Sequence, residues 1–151
     1  MEDKSYDKIM IATDGSKQVE KAVEAAVQLA KITGARLYAV YVIASAGYTP
    51  RNFGWEESLR EILEAEAKKA VTFVEEAGKV SGVKVEPVTL EGHPADRIMK
   101  FAEQEDMDLI VMGTLGRTGL DRFLLGSIAE NVVRHSKTPV MVVKGEAETE
   151  S

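Results

Sequence analysis

The segment "GTLGRTGLDRFLLGS", Gly113 to Ser127, holds four of the chain's 12 glycines and two of its arginines. Glycine lets the backbone turn sharply and approach a ligand closely, because it has no Cβ. Gly126 and Ser127 come directly before "IAENVVRH", which predicts a helix. The first backbone amides of a helix have no partner within it and attract anions. This combination predicts a cradle for phosphate groups.

The same segment also has a purely structural interpretation. Ser127 and Glu130 fit a capping box, and the glycines would then only shape a long loop. That interpretation does not explain why glycines stand at both ends, or why Arg117 and Arg122 bring positive charge to an acidic chain. Neither common phosphate motif is present. There is no G-x-x-x-x-G-K-[ST], and a dinucleotide fingerprint would follow the first strand rather than the fourth.

Other candidate side chains are few. Asp14 stands between an apolar run and "GS", where an aspartate commonly closes a turn or caps a helix but can also face a ligand. The only two histidines, His93 and His135, fall beside or on different predicted helices, and there is no cysteine. The sequence therefore predicts neither a metal centre nor a catalytic constellation.

The elements that must position these residues follow from the apolar pattern. Strands are predicted at Lys8–Thr13, Ala35–Ile43, Val83–Leu90, Met107–Gly113 and Thr138–Val143. Helical spacing is found from Val19 to Gly34, from Leu59 to Gly78–Gly82, from Pro94 onward, and over Ile128–His135. The predicted inner face of the second helix is Ile62, Leu63, Ala67, Ala70, Val74 and Ala77. That of the third helix is Ile98, Phe101 and Ala102.

Alternating strands and helices predict an α/β fold, because parallel neighbours need crossover helices that cover both faces of the sheet. The expected fold is a single-domain, Rossmann-like, doubly wound sheet of five parallel strands in the order 3-2-1-4-5, with four helices. Ligands bind such sheets beyond the carboxyl ends of the strands, where the winding reverses. The residues worth inspecting are thus those that follow each strand.

Composition excludes several classes of protein. A chain of 151 residues with 44% hydrophobic and 29% charged residues is typical of one soluble globular domain. Its apolar runs are too short to span a membrane. The charged N-terminus lacks a signal peptide, so we expect a cytoplasmic protein. A net charge of −6 argues against nucleic-acid binding. Residues 145–151, "GEAETES", are predicted to form a disordered acidic tail.

The glycine segment fits the G-2x-G-9x-G-[ST] pattern, with Gly113, Gly116, Gly126 and Ser127 in register, and so resembles the ATP-binding branch of the universal stress proteins. The resemblance extends over nearly the whole chain, residues 1–144. "KIMIATDGS" is similar to that family's opening strand and turn, "VYVI" to the end of its second strand, "EGHPADRI" to its strand-three exit and "SKTPVMVVK" to its last strand.

The resemblance implies an ATP site in which Asp14 holds the ribose or adenosine end and Ala12 and Val42 flank the adenine. The glycines and Ser127 would hold ribose and phosphates, and Met112 would line the pocket. Mg²⁺ or Mn²⁺ would accompany ATP by bridging its phosphates. The full predicted set is Ala12, Thr13, Asp14, Val42, Met112, Gly113, Gly116, Arg117, Gly126, Ser127 and Ile128.

Three functions from different classes stay open: an ATP-dependent regulatory or stress-response module, a slow ATPase or self-phosphorylating enzyme, and a structural dimer without nucleotide. The first is favoured because the sequence shows no general base or metal-ligand set beside a γ-phosphate. A homodimer is expected through the last strand, Pro139–Val143, whose apolar edge would be open to a second copy. The resemblance implies the same dimer.

Overall fold

In the computed structural model of the protein, residues 5–44, 53–114 and 125–145 are described. Strands and helices alternate along them, as predicted. The strands are β1 (Lys8–Ala12), β2 (Arg36–Ala44), β3 (Val85–Gly92), β4 (Leu109–Gly113) and β5 (Val140–Val143). The helices are α1 (Glu20–Thr33, preceded by a 3-10 turn at Lys17–Val19), α2 (Phe53–Val80), α3 (Pro94–Gln104) and α4 (Ser127–His135).

The strands form one parallel sheet in the order β3-β2-β1-β4-β5, which confirms the predicted fold. The central strand β1 pairs with both neighbours, so that Ile9 lies opposite Leu37 on β2 and Leu109 on β4. The chain winds outward from β1 to β3, then returns to the other side of β1 to form β4 and β5. The winding therefore reverses between β1 and β4, and a crevice is expected at their carboxyl ends.

Both faces of the sheet are covered, which explains why the strand sequences are almost continuously apolar. Successive residues of a strand point to opposite faces. Ile9 and Ile11 accordingly join the core beneath α1 and α2. Met10 joins a second core with Ile110 and Val132, beneath α3 and α4.

Helix α2 departs from the prediction in its length and in its inner face. It begins at Phe53 rather than Leu59, and Ile62, predicted to be internal, is 57% exposed. The helix has 28 residues and is about 42 Å long, whereas the nine residues of β2 span about 30 Å. The sheet therefore cannot cover the N-terminal turns, and apolar spacing could not mark where they begin.

Arg60 links the N-terminal half of α2 to the end of β3 through ion pairs. Its guanidinium pairs with Glu91 at 3.1 Å and with Glu64, one turn further along the helix, at 3.2 Å. The hydrogen bond and charge of Glu91 raise the pKa of Arg60 above its ordinary value. These groups are exposed, so the pairs orient the helix more than they stabilise the fold.

Some predicted features lie outside the described residues, namely Gly116, Arg117 and the tail from residue 146 onward. Gly145 is described and packs on the 3-10 turn, where a Cβ would stand only 2.6 Å from the carbonyl oxygen of Gln18. Within the described ranges, no helix is both long and apolar enough to cross a bilayer.

Candidate functional site

A cleft of about 390 Å³ lies at the predicted crevice, within the range of small-molecule sites. The carboxyl ends of β1, β2 and β4 form its floor, and α3 and α4 form its walls. Nine predicted site residues line this cleft together: Ala12, Thr13, Asp14, Val42, Met112, Gly113, Gly126, Ser127 and Ile128. The other two, Gly116 and Arg117, belong to the undescribed stretch between Thr114 and Leu125.

One side of the cleft is an apolar slot. Alternation along the strands directs Val40, Val42 and Met112 toward the core beneath α3 and α4. Ile98 of α3 and Ala129 of α4 close the slot from the helix side. Sequence reasoning missed Val40, Ile98 and Ala129 as lining residues, although their place on the inward faces of their elements was the available signal. A slot of this kind suits a flat aromatic ring.

The end of β1 leaves part of the β2 backbone facing the slot. The amide of Thr13 donates to the carbonyl oxygen of Val40 at 2.9 Å, while that of Leu37 donates to Lys84 beside β3. Backbone groups alternate between the two sides of a strand, so the N–H and C=O of Val42, like those of Val40, point toward the β1 side. Strand β1 has already ended there, at Ala12. The N–H and C=O of Val42 thus offer a donor and an acceptor side by side at the edge of the slot.

Asp14 closes a turn at the edge of the cleft. Its Oδ1 accepts a hydrogen bond from the amide of Ser16 at 2.9 Å, and Thr13 Oγ1 accepts one from the amide of Gly15 at 3.1 Å. Gly15 takes φ 75°, which favours glycine. Asp14 therefore closes the turn and also lines the cleft. A carboxylate has several acceptor positions, so closing the turn does not prevent it from accepting a ligand hydroxyl.

Helix α4 begins at the opposite wall of the cleft. Gly126 is its N-cap residue and Ser127 its first helical residue, and among the described residues no side chain makes a capping hydrogen bond to it. The capping-box interpretation of Ser127 and Glu130 is therefore wrong, because the amide of Glu130 donates to the carbonyl of Gly126 instead, at 2.9 Å. The first amides of α4 have no partner within the helix, and the positive end of its dipole lies at the cleft.

One backbone hydrogen bond holds the start of α4 against the end of β4, and a second joins that end to β5. The amide of Gly126 donates to the carbonyl oxygen of Thr114 at 2.6 Å, and the amide of Thr114 donates to the carbonyl oxygen of Val143 at 3.2 Å. Gly126 itself has φ −61° and ψ 156°, a conformation open to any residue. Its backbone angles therefore give no reason for glycine at this position.

The histidines and acidic side chains of the described residues do not form a cluster at this cleft. Among them, no group of three His, Asp or Glu side chains could hold a metal ion. His93 stands at the N-cap of α3 without a capping hydrogen bond, and the ring of His135 contacts Asn131 one turn earlier on α4. What the cleft brings together is an apolar slot, a carboxylate and a helix N-terminus.

Residues 5–144 match the model of the Universal stress protein family. The chain is 43% identical over 141 residues to universal stress protein MJ0531 of Methanocaldococcus jannaschii, an alignment that covers 92% of this chain and 82% of that protein. Against universal stress protein YxiE of Bacillus subtilis the identity is 31% over 149 residues, with 92% and 99% covered.

Solved structures give the same likeness. The structure of MJ0577, also from M. jannaschii, superposes with a TM-score of 0.80 at 32% identity and covers 95% of this chain and 99% of its own. A universal stress protein in complex with cAMP gives 0.72 at 26% identity, covering 95% and 100%. One from Archaeoglobus fulgidus in complex with dAMP gives 0.70 at 27% identity, covering 92% and 98%.

Proposed function

The chain belongs to the universal stress protein family, and we propose that it is a regulatory module that binds ATP at the cleft between β1 and β4. The observation that carries the proposal is the meeting of an apolar slot, Asp14 and the N-terminus of α4 in one cleft. The similar proteins in complex with cAMP and dAMP support an adenine nucleotide as the ligand class.

Each part of an adenine nucleotide has a complementary group in the cleft. The slot takes the base, and the N–H and C=O of Val42 match the N1 acceptor and N6 donor on the edge of adenine. The carboxylate of Asp14 accepts a hydrogen bond from a ribose hydroxyl. The phosphates lie at the start of α4, where Ser127 adds a hydroxyl. Gly113, Gly116 and Arg117 complete the proposed phosphate side.

A divalent ion fits this proposal only as a companion of the phosphates. Mg²⁺ keeps several waters and commonly bridges phosphate oxygens with few protein ligands. The described part of the chain has no carboxylate cluster at the cleft that would hold it alone. We therefore propose that Mg²⁺ or Mn²⁺ arrives with ATP. The proposed compartment is the cytoplasm, as the sequence predicts.

We expect binding without rapid turnover. A hydrolase must position water or a base and bind its metal beside the γ-phosphate, and the sequence shows no such set of residues. ATP at about 100 times its Kd should stabilise the protein by about 2.7 kcal/mol, which raises the melting temperature by about 5 to 10 °C. Phosphate release should stay far below the typical turnover of about 10 per second. Thermal unfolding measures the change in melting temperature, and a phosphate assay measures the turnover.

The contrary outcomes are distinct. Turnover at ordinary enzyme rates, lost in Asp14→Asn, would favour the ATPase function. A melting temperature that ATP leaves unchanged would leave only the structural dimer. Mass spectrometry of any nucleotide released from the denatured protein provides an independent check.

The proposal also includes a homodimer through the edge of β5. This strand ends the sheet order, and Met141 at its centre is 37% exposed. Val140 and Val142 pack against the core beneath α3 and α4, so lysine there would damage the fold. Met141→Lys is the sharper test.

Met141→Lys should move the protein from dimer toward monomer, because a charge on a strand edge opposes pairing with another edge. Sedimentation velocity at about micromolar protein concentration, where a specific dimer would form, measures the change from dimer to monomer. Met141→Leu, which keeps an apolar side chain at the edge, is the matched control and should remain dimeric. A monomeric wild type, or a lysine variant that stays dimeric, would exclude this interface.

A further inference from the structure

Helix α2 carries apolar side chains on the face that points away from the protein's own core. Ile62, Phe73 and Val80 are 57%, 45% and 90% exposed. They are separated by 11 and 7 residues, and at 100° per residue they fall within about 20° of one another around the helix. The buried residues Ala67, Val71 and Val74 lie on another side, against the sheet.

Charged residues complete this row at regular spacing. Glu66, Lys69 and Glu76 occupy the intervening positions and are exposed. The spacing alternates between four and three residues, as in the seam of a coiled coil. We define the α2 stripe by these exposed residues: Ile62, Glu66, Lys69, Phe73, Glu76 and Val80.

We propose that the α2 stripe is an interaction surface for the α2 stripe of a second copy of this chain, with the two helices antiparallel. In the pairing centred between residues 66 and 69, Glu66 of each copy lies opposite Lys69 of the other. The same register places Ile62 opposite Phe73. Because the pairing is twofold, each contact occurs twice, as an isologous interface requires.

The charges select this arrangement from its alternatives. A parallel pairing would place Glu66 opposite Glu66 and Lys69 opposite Lys69. An antiparallel pairing shifted by one heptad would bring Ile62 opposite Val80, but Glu66 opposite Glu76. Like charges facing each other oppose association and exclude wrong registers. Only the register about residues 66 and 69 combines opposite charges with apolar contact.

The size of the stripe sets its strength. Stable interfaces bury about 1,200–2,000 Å², and in this register only Ile62 and Phe73 of each stripe bring apolar side chains together, which falls below that range. The association is therefore weak when it acts alone. Helix α2 packs over β2 and β3, whereas β5 lies at the other edge of the sheet. The stripe can thus pair while the β5 edge is occupied, and the two contacts would build a larger assembly.

Charge reversal provides the test, in the Met141→Lys background so that the β5 edge does not contribute. Glu66→Lys and Lys69→Glu should each weaken self-association by about tenfold or more, since each replaces two attractions by two repulsions. Mixing the two variants should restore association, because the lysines at positions 66 and 69 of one variant then face the glutamates at positions 69 and 66 of the other. Sedimentation equilibrium from about 10 µM to about 1 mM covers a weak interface.

Two controls separate the stripe from other effects. Lys68→Glu makes the same charge change next to the stripe and should leave association unchanged. Phe73→Ala should weaken association without altering charge. Far-UV circular dichroism shows that each variant keeps its helices, and unchanged ATP affinity keeps this test independent of the nucleotide site.

The proposal is overturned if the single reversals associate as the Met141→Lys parent does, or if their mixture fails to associate. Equal weakening by Lys68→Glu would also overturn it, because the effect would then follow net charge rather than the stripe.

Discussion

Gly126→Val is expected to weaken ATP binding by at least about 100-fold while adenosine binding stays within about threefold. A branched side chain at the N-cap of α4 would fill the space proposed for phosphate oxygens and prevent more than one charge-assisted hydrogen bond, each contributing about 1.5–3 kcal/mol. The backbone of Gly126, at φ −61° and ψ 156°, accepts valine without strain. Calorimetry with ATP and adenosine measures the difference.

Ser127→Ala and Asp14→Asn are the matched variants for this experiment. Ser127→Ala should remove one hydrogen bond to a phosphate, about 10- to 150-fold in ATP affinity. The melting temperature of the free protein should change little, because Ser127 is not the capping residue. Asp14→Asn should weaken ATP and adenosine equally, since the ribose is common to both. If Gly126→Val weakens both ligands equally, the phosphates do not lie at α4.

Discrimination between ATP and GTP is the second large effect expected. The N–H and C=O of Val42 match the acceptor and donor of adenine, whereas guanine presents O6 as an acceptor and N1–H as a donor. Guanine would leave two buried backbone groups unpaired, at about 1–3 kcal/mol each. The expected preference for ATP is therefore about 30- to 20,000-fold.

Competition between nucleotides on one site measures this preference. Inosine triphosphate, which presents the same reversed edge as guanine without its amino group, should bind as poorly as GTP. Weak GTP binding with strong inosine triphosphate binding would mean that the slot rejects guanine by the bulk of its amino group. Equal binding of ATP and GTP would show that the backbone of Val42 does not read the base.

The sequence predicted the sheet well because alternating apolar runs and helical spacing report burial directly. Asp14 and Ser127 could be placed at the cleft because each follows a strand or opens a helix, and the strand order brings those points together. The role proposed for the backbone of Val42 could not be predicted. It depends on β1 ending at Ala12, opposite Val40, and that is a matter of register between distant segments.

The stripe on α2 was also hidden from the sequence, for a different reason. Ile62 fits the apolar spacing of a buried face, and only the packing of Ala67, Val71 and Val74 on the sheet shows that it points outward. The edge of β5 gives a similar lesson. Valines and methionine look alike in an apolar strand, yet Met141 is exposed while Val140 and Val142 pack inward.

The hydrogen bond from the amide of Gly126 to the carbonyl of Thr114 also bears on how this protein can diverge. It ties the two ends of the intervening stretch at a fixed separation. The entropy needed to close a loop grows only with the logarithm of its length, so doubling the number of residues would cost about 0.6 kcal/mol. Insertions there would leave the sheet and α4 almost unaffected. Relatives could thus differ in this stretch while they share one scaffold.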